Sequence, residues 1–246
     1  MQKIFYKYLD QAPPVKILRR LDINLRVDAT YFKKFCVVLY QDDELSYTQL
    51  YRFTDAERYP EIKEDLENLI QLDVSIASIT CDGHRATLKA IKKVMPKVII
   101  QRCVVHVQRM CLIWITAQPK HQAGISLRKL VGMLHDIKTH NDKLFWTRAF
   151  RLWYQEHQVY LKEKTINTQT GRYWYKHKFL RRSYSTIKRA MPNMFHYLDH
   201  PKIPKSTNGI ESFFGHLKNH LDLHRGLTLK HRMAFIKWYL YFKNQR

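Results

Sequence analysis

The chain has 246 residues, 45% of them hydrophobic, with 7 glycines and no low-complexity stretch, so overall disorder is not expected and a sizeable core is. Its formal net charge of +22 is uneven: residues 1–82 hold 11 Lys and Arg against 14 Asp and Glu, whereas residues 83–246 hold 32 against 7. A basic surface can be merely solvated, but at this density the electrostatic footprint of a nucleic-acid partner is the stronger reading. No apolar run reaches the roughly 18 residues of a membrane span, and the first ten residues contain no secretory apolar core. The expected location is cytoplasmic, at the nucleoid, with no membrane partner.

In chain order, residues 1–20 are aromatic and basic, with Pro13-Pro14 as punctuation, and read as a linker. Three strand-like runs follow, about Ile23–Phe32, Phe35–Tyr40 and Leu45–Phe53, with the polar turn Asp42-Asp43-Glu44 between the last two. Short links between consecutive strands predict an antiparallel meander. Pro60 marks a helix start, and Ile62, Leu66, Leu69 and Ile70 recur at helical spacing. Val74–Cys81 is a further strand, Asp82-Gly83 a turn, and His84–Met95 a helix stopped by Pro96. Val98–Val105, apolar and β-branched, reads as the fifth strand.

From His106 to residue 200 the pattern is helical throughout, clearest over Ile125–Ile137 and Lys143–Lys164, where Leu144, Trp146, Phe150, Trp153 and Tyr154 form a bulky apolar face. Helices over about Thr207–His220 and Leu229–Phe242 flank a break at Arg225-Gly226-Leu227. The order is a βββαβαβ mixed α/β sheet, then helices, then a late helix.

Three acidic residues carry the chemical signal. Asp28 lies inside the first apolar strand, where an unpaired carboxylate is costly and needs a reason. Asp82 ends the fourth strand, although Asp-Gly is also an ordinary turn. Glu211 opens the late helix in Ser-Thr-Asn-Gly-Ile-Glu. Two aspartates at strand ends and a glutamate on a helix can converge as an all-oxygen site for Mg²⁺, and phosphoryl transfer often uses two such ions. Lys218 follows Glu211 by two helical turns, on roughly the same face.

Cys103 and His106 form a Cys-x-x-His pair on the expected fifth strand. As zinc ligands they lack a second pair at suitable spacing, Cys111 and His84 being poor candidates, so a structural role is the stronger reading. The four cysteines, Cys36, Cys81, Cys103 and Cys111, contain no Cys-x-x-Cys and are expected to stay reduced. The stretch Arg172-Tyr-Trp-Tyr-Lys-His-Lys-Phe-Leu-Arg181-Arg182 interleaves cations with aromatics, which suits DNA handling; core packing is the competing reading for Trp174.

This constellation resembles the mutator-type insertion-sequence transposases of bacteria, relatives of the Mutator-like elements. That family has an Asp-Asp-Glu triad, a Cys-x-x-His signature before the Glu, and a basic residue seven positions after it. The matching positions are Asp28, Asp82, Glu211, Cys103, His106 and Lys218, and the segment Leu217–Leu227 also resembles the family's C-terminal region. The resemblance covers about residues 21–243. It implies a ribonuclease-H-like mixed sheet (21–106), a long all-helical insertion (107–204) and a C-terminal catalytic helix with its successor (205–246). Residues 1–20 would then be a linker or the remnant of an N-terminal DNA-recognition region, and the chain a truncated copy or fragment.

The implied activity is that of a DDE transposase. Asp28, Asp82 and Glu211 would hold two Mg²⁺ ions, with Mn²⁺ able to substitute, for cleavage at transposon ends and strand transfer into target DNA. Cys103 and His106 would support the site. Lys218, His224, Arg225, Arg172, Trp174, Arg181 and Arg182 would contact DNA. The partners would be terminal inverted repeats, target DNA and a second copy of the chain. Two alternatives differ in outcome: a nuclease on the same fold would not join strands, and a transposase-derived DNA-binding protein would not cut.

Overall fold

The computed structural model describes residues 2–14 and 16–245. It divides into two compact units, one formed by residues 1–101 with 202–246 and the other by residues 102–201.

The first unit is built on a sheet ordered β3-β2-β1-β4-β5, of strands β1 (Ile23–Tyr31), β2 (Cys36–Asp42), β3 (Tyr47–Thr54), β4 (Ile76–Cys81) and β5 (Ile99–Arg102). The pairs β1–β2 and β2–β3 are antiparallel, the expected meander, and β1 pairs parallel with β4. The crossover to β4 runs through helix α2 (Tyr59–Gln71), and α3 (Arg85–Val94) follows β4.

Period-two alternation sends β1 in two directions. Leu25 and Val27 join Val38, Tyr40, Ile79 and Cys81 in a core closed by Ile62, Leu66 and Leu69 of α2 and Ala90 and Ile91 of α3. The opposite sheet face is covered by α9 (Asn208–Asp222) and α10 (Leu229–Lys243). There Val37 and Leu39 pack with Ile210, Phe214, Leu217 and Leu221, the i, i+4, i+7, i+11 stripe of α9, and with Ile236 and Leu240 of α10. Strand β2 is buried along its whole length because it feeds both cores.

The segment expected as a linker holds helix α1 (Gln2–Leu9). Leu9 is buried in the second core, and the Trp238 indole N–H donates to the carbonyls of Tyr8 (2.9 Å) and Gln11 (3.1 Å). The aromatics there serve packing, a purpose invisible without their partners on α10.

The second unit contains α4 (Val104–Ile115), α5 (Gln122–Gly132), α6 (His140–Lys162), α7 (Lys178–Ala190) and the short α8 (His196–Asp199). Trp146, Phe150, Trp153, His157 and Leu161 are the buried stripe of α6. A capping box between Thr139 and Asp142 starts that helix. The indole N–H groups of Trp146 and Trp153 donate to the carbonyls of Leu130 (2.7 Å) and Ala123 (2.9 Å), so both rings are buried with their polar atoms satisfied. Leu144, expected on the apolar face, is 66% exposed, because it lies off the 146–150–153–157 stripe.

Two expectations fail here. The unit is not all-helical: β6 (Lys164–Ile166) and β7 (Tyr173–Tyr175) form an antiparallel hairpin. Its strands of three residues each are too short to show an alternating pattern. The Val98–Val105 strand also stops at Arg102, and Val104 begins α4. Cys103 is the N-cap, its Sγ accepting the His106 backbone N–H at 3.5 Å. Val104, Val107, Cys111 and Ile115, at helical spacing, enter the helical core, and that burial overrides the strand preference of two adjacent valines. The Cys-x-x-His pair therefore belongs to a helix start, not to a strand.

Among the described residues no helix is long and apolar enough to cross a membrane.

Candidate active site

The polar side chains of β1 that alternate away from the first core include Asn24, Arg26 and Asp28, and the register partners of the first two on β4 repeat the theme. Asn24 pairs with Ser78, whose hydroxyl donates to the Asn24 Oδ1 at 2.7 Å. Arg26 pairs with Thr80, whose hydroxyl donates to the Pro204 carbonyl at 2.9 Å, tying the lead-in of α9 to the sheet. The pairing ends at Val27 with Cys81, so Asp28 and Asp82 each follow the last paired residue of their strand.

Arg26 is only 7% exposed. Its guanidinium meets the Asp43 carboxylate at 2.8 Å and donates to the Asp43 carbonyl at 3.2 Å. Burial pulls its pKa down, opposed by the negative charges of Asp43 and Asp42. Gly209, at the start of α9, lies directly on this guanidinium, where a Cβ would collide with it. The missing side chain is what lets the first turn of α9 approach the polar row of β1. Glu211 follows two residues later, one position from the buried Ile210.

This approach brings Asp28 and Glu211 together. Both are half-buried, and each offers a carboxylate oxygen within 4.8 Å of the other. Asp28 Oδ1 also accepts the Ala29 N–H at 2.9 Å. Asp82 does not complete a set with both of them inside that distance. Its Oδ1 accepts the His84 N–H at 2.7 Å across the Gly83 turn, whose φ of 87° suits glycine.

One acidic residue beside Asp82 escaped the sequence reading. Glu57 lies in the loop after β3, with its side chain 14% exposed. Its carboxylate is 3.6 Å from the His84 Nδ1 and accepts from the hydroxyls of Tyr31 (3.4 Å) and Thr87 (3.5 Å). Burial, and next the negative charge of Asp82, push its carboxyl above the ordinary carboxylate range. Nothing in the run Asp55-Ala-Glu-Arg sets Glu57 apart from other loop acids; only the fold brings it to the end of β4.

Lys218, on α9, is half-buried with its Nζ 5.5 Å over the Phe32 ring, just past β1. His224, expected as a DNA contact, stacks on Phe5 (5.1 Å between centroids) and tilts against Phe235. Arg225 is exposed, and its carbonyl accepts from the Arg232 guanidinium. In the second unit, Cys103 is buried at the N-cap of α4 and His106 is half-buried in that helix's first turn. Arg172 and Trp174 are exposed on the hairpin. Arg181 sits 3.5 Å over the Tyr175 ring while donating to the Leu161 carbonyl at 3.0 Å, and Arg182 covers the Trp114 ring at 4.2 Å.

The chain is similar to a number of solved structures, among them two at low identity. One is the simian T-cell lymphotropic virus intasome in complex with a PP2A regulatory subunit (13% identity, TM-score 0.25); the match covers 72% of this chain and 52% of that one. The chain thus spans about half the length of that relative. The other is the HTLV-2 integrase catalytic core domain with magnesium, in a trimeric form (17% identity, TM-score 0.27), covering 63% of this chain and 95% of that one. At these scores the likeness decides nothing about the site. No curated protein matches the sequence. Residues 55–142 match the model of the Mutator family of transposases, a segment that includes Asp82, Cys103 and His106 and ends before Glu211. The matched segment is 88 of the 246 residues, and it supports a mutator-type transposase.

Proposed function

We propose that this chain is the catalytic core of a DDE-type transposase with a ribonuclease-H-like sheet, cutting transposon-end DNA and joining it to target DNA. The observation that carries the reading is the convergence of Asp28 and Glu211, from a central strand and a late helix, to oxygens within 4.8 Å. The donor set fits a hard divalent cation, since carboxylate oxygens are the ligands Mg²⁺ and Mn²⁺ prefer. Asp28, Asp82 and Glu211 are the residues that would hold the ions. Bound there, a pair of ions would stabilise the charge on the attacking and leaving oxygens of an in-line displacement.

The protein's own part is positional. The Ala29 N–H holds the Asp28 carboxylate, the His84 N–H holds that of Asp82, and Gly209 against Arg26 sets how closely the Glu211 turn approaches. Hydrolysis at the transposon end frees a 3′-hydroxyl, which then attacks target DNA as the second nucleophile. Lys218, two turns beyond Glu211, supplies a cation for a phosphate near the cut, and the exposed Arg225 a second. The partners are terminal inverted repeats, target DNA and another copy of the chain, since two ends must be paired.

The test is strand transfer from a pre-cleaved transposon-end duplex into supercoiled plasmid with Mg²⁺, with Glu211→Gln alongside. Joined products that vanish in the variant are expected. Joining that survives Glu211→Gln removes the glutamate from the site; nicking without joining converts the reading to a nuclease.

A further inference from the structure

The hairpin of the second unit carries features that packing does not use. Its register pairs Lys164 with Tyr175, Thr165 with Trp174 and Ile166 with Tyr173. Alternation therefore sends Tyr173 and Tyr175 to one side and Trp174 to the other. The two tyrosines are engaged: the Lys164 Nζ lies 3.9 Å over Tyr173 and 5.7 Å over Tyr175, and Arg181 covers Tyr175. Trp174 is 52% exposed, whereas Trp146 and Trp153 of the same unit are buried with their indole N–H groups bonded.

The platform is held in shape despite its short strands. The Asn167 Oδ1 accepts the N–H groups of Gln169 (2.9 Å) and Thr170 (3.0 Å), Gly171 takes the left-handed φ of 65° that closes the turn, and the Lys176 N–H donates to the Glu163 carbonyl. A large aromatic face shown to solvent on a fixed support adds little to folding and is suited to stacking.

Charge says what stacks there. Residues 164–182 contain six Lys and Arg and no Asp or Glu. Arg172, Lys176 and Lys178 are exposed and lie within four residues of Trp174, with the Lys176 Nζ 3.6 Å from the Glu163 carboxylate just outside that run. An occupant needs a planar apolar face and a polyanionic backbone, which is a nucleic-acid strand with unstacked bases. A closed duplex offers phosphates but keeps its base faces stacked, so it would satisfy the cations and leave the indole unused.

We propose that the β6–β7 hairpin binds unpaired DNA bases, with Trp174 as the stacking surface and Arg172, Lys176 and Lys178 holding the adjoining phosphates. This rests on the proposed function only in taking DNA as the polyanion; a frayed or cleaved transposon end would supply such bases.

The test uses the full chain in EDTA, so that cleavage is irrelevant. Binding is measured to a blunt duplex and to the same duplex with a three-nucleotide overhang carrying 2-aminopurine. The expected result is preference for the overhang, quenched 2-aminopurine, and a 5- to 100-fold loss of that preference, on the order of one stacked base, in Trp174→Ala. Trp174→Phe, which keeps a ring, should retain most of it. Equal affinity of wild type for both DNAs, or an unchanged preference in Trp174→Ala, would overturn the proposal. A correctly folded variant is verified by its circular dichroism. Failure of strand transfer with the overhang preference intact would sink the transposase reading and leave this site standing.

Discussion

The two units solve opposite problems with their charged and aromatic residues. In the first, polar groups are gathered inward: Asn24, Arg26 and Asp28 form a row on a central strand, closed over by a helix whose glycine touches the arginine. In the second, 18 Lys and Arg stand against 5 Asp and Glu, and the core is mostly apolar and aromatic, with cations such as Arg181 and Arg182 laid over rings at its surface. The first arrangement fixes carboxylates at short separation, which is what chemistry on a phosphate demands. The second presents positive charge widely, which is what holding a long polyanion demands.

The sharpest way to break this division is to remove a carboxylate from the first unit and ask whether binding follows. Asp28→Asn and Glu211→Gln should each lower Mg²⁺-dependent cleavage by roughly 10²–10³-fold, the scale seen when one stabilising group is lost from an active site. Equilibrium DNA binding in EDTA should stay close to wild type; a parallel collapse of binding would show that the division is false.

Next in size is the stability of the second unit's core. Trp153→Ala removes a buried ring and leaves the Ala123 carbonyl without its indole donor, costing about 3–5 kcal/mol. Chemical denaturation monitored by circular dichroism would reveal a smaller change, and a loss under about 1 kcal/mol would mean the aromatic stripe is loosely packed.

Gly209→Ala probes the closest approach in the first unit. The added methyl must displace the Arg26 guanidinium, so a loss of about 1–3 kcal/mol is expected, with weaker Mn²⁺ affinity by calorimetry because Glu211 moves with its helix turn. Unchanged stability would show that Arg26 is free to yield.

The pH dependence of Glu57 is subtler. Its carboxyl is raised by burial and by Asp82, so the folded state holds this proton more tightly than the unfolded chain, whose value is about 4.3. The contribution to stability is therefore greatest below that value and is lost as pH rises through the window up to the raised folded value. In EDTA, wild-type Tm should fall relative to Glu57→Gln as pH climbs through this window; parallel profiles would remove Glu57 from the electrostatics of Asp82.

The smallest effect is a silence. All four cysteines are buried, with the Cys36 thiol pushed to about 11 and that of Cys111 to about 12 by burial. A thiol reagent at neutral pH should find none of them in the native protein and all of them in guanidinium.

Much of the first unit was legible because its signals are local. Strand-like apolar runs bounded by Asp-Asp-Glu and Asp-Gly turns mark β1 to β4, and the late helix read over about Thr207–His220 matches α9. Elements were misread where locality failed: Val104 and Val105 look like strand until the helical core claims them, and the hairpin is too short to have a period. Within the site, Asp28 stood out as an acid in an apolar strand, whereas Glu57 is an ordinary loop glutamate whose position depends on how β3, α2 and β4 are assembled. Trp174 sat between core and surface on sequence grounds, because a tryptophan two residues from several cations fits either.

By itself, then, the sequence determined the meander, the two βα steps after it, the two late helices and the uneven charge, since these rest on side-chain chemistry and near-neighbour spacing. Only the tertiary structure decided that Asp28 and Glu211, 183 positions apart, bring carboxylate oxygens within 4.8 Å, that Asp82 accepts the His84 N–H at its turn, that Glu57 lies near Asp82, and that Trp174 faces solvent. The reason is physical: convergence of distant groups depends on strand register and on how closely a helix packs, and a single absent Cβ at Gly209 matters there as much as any charged residue.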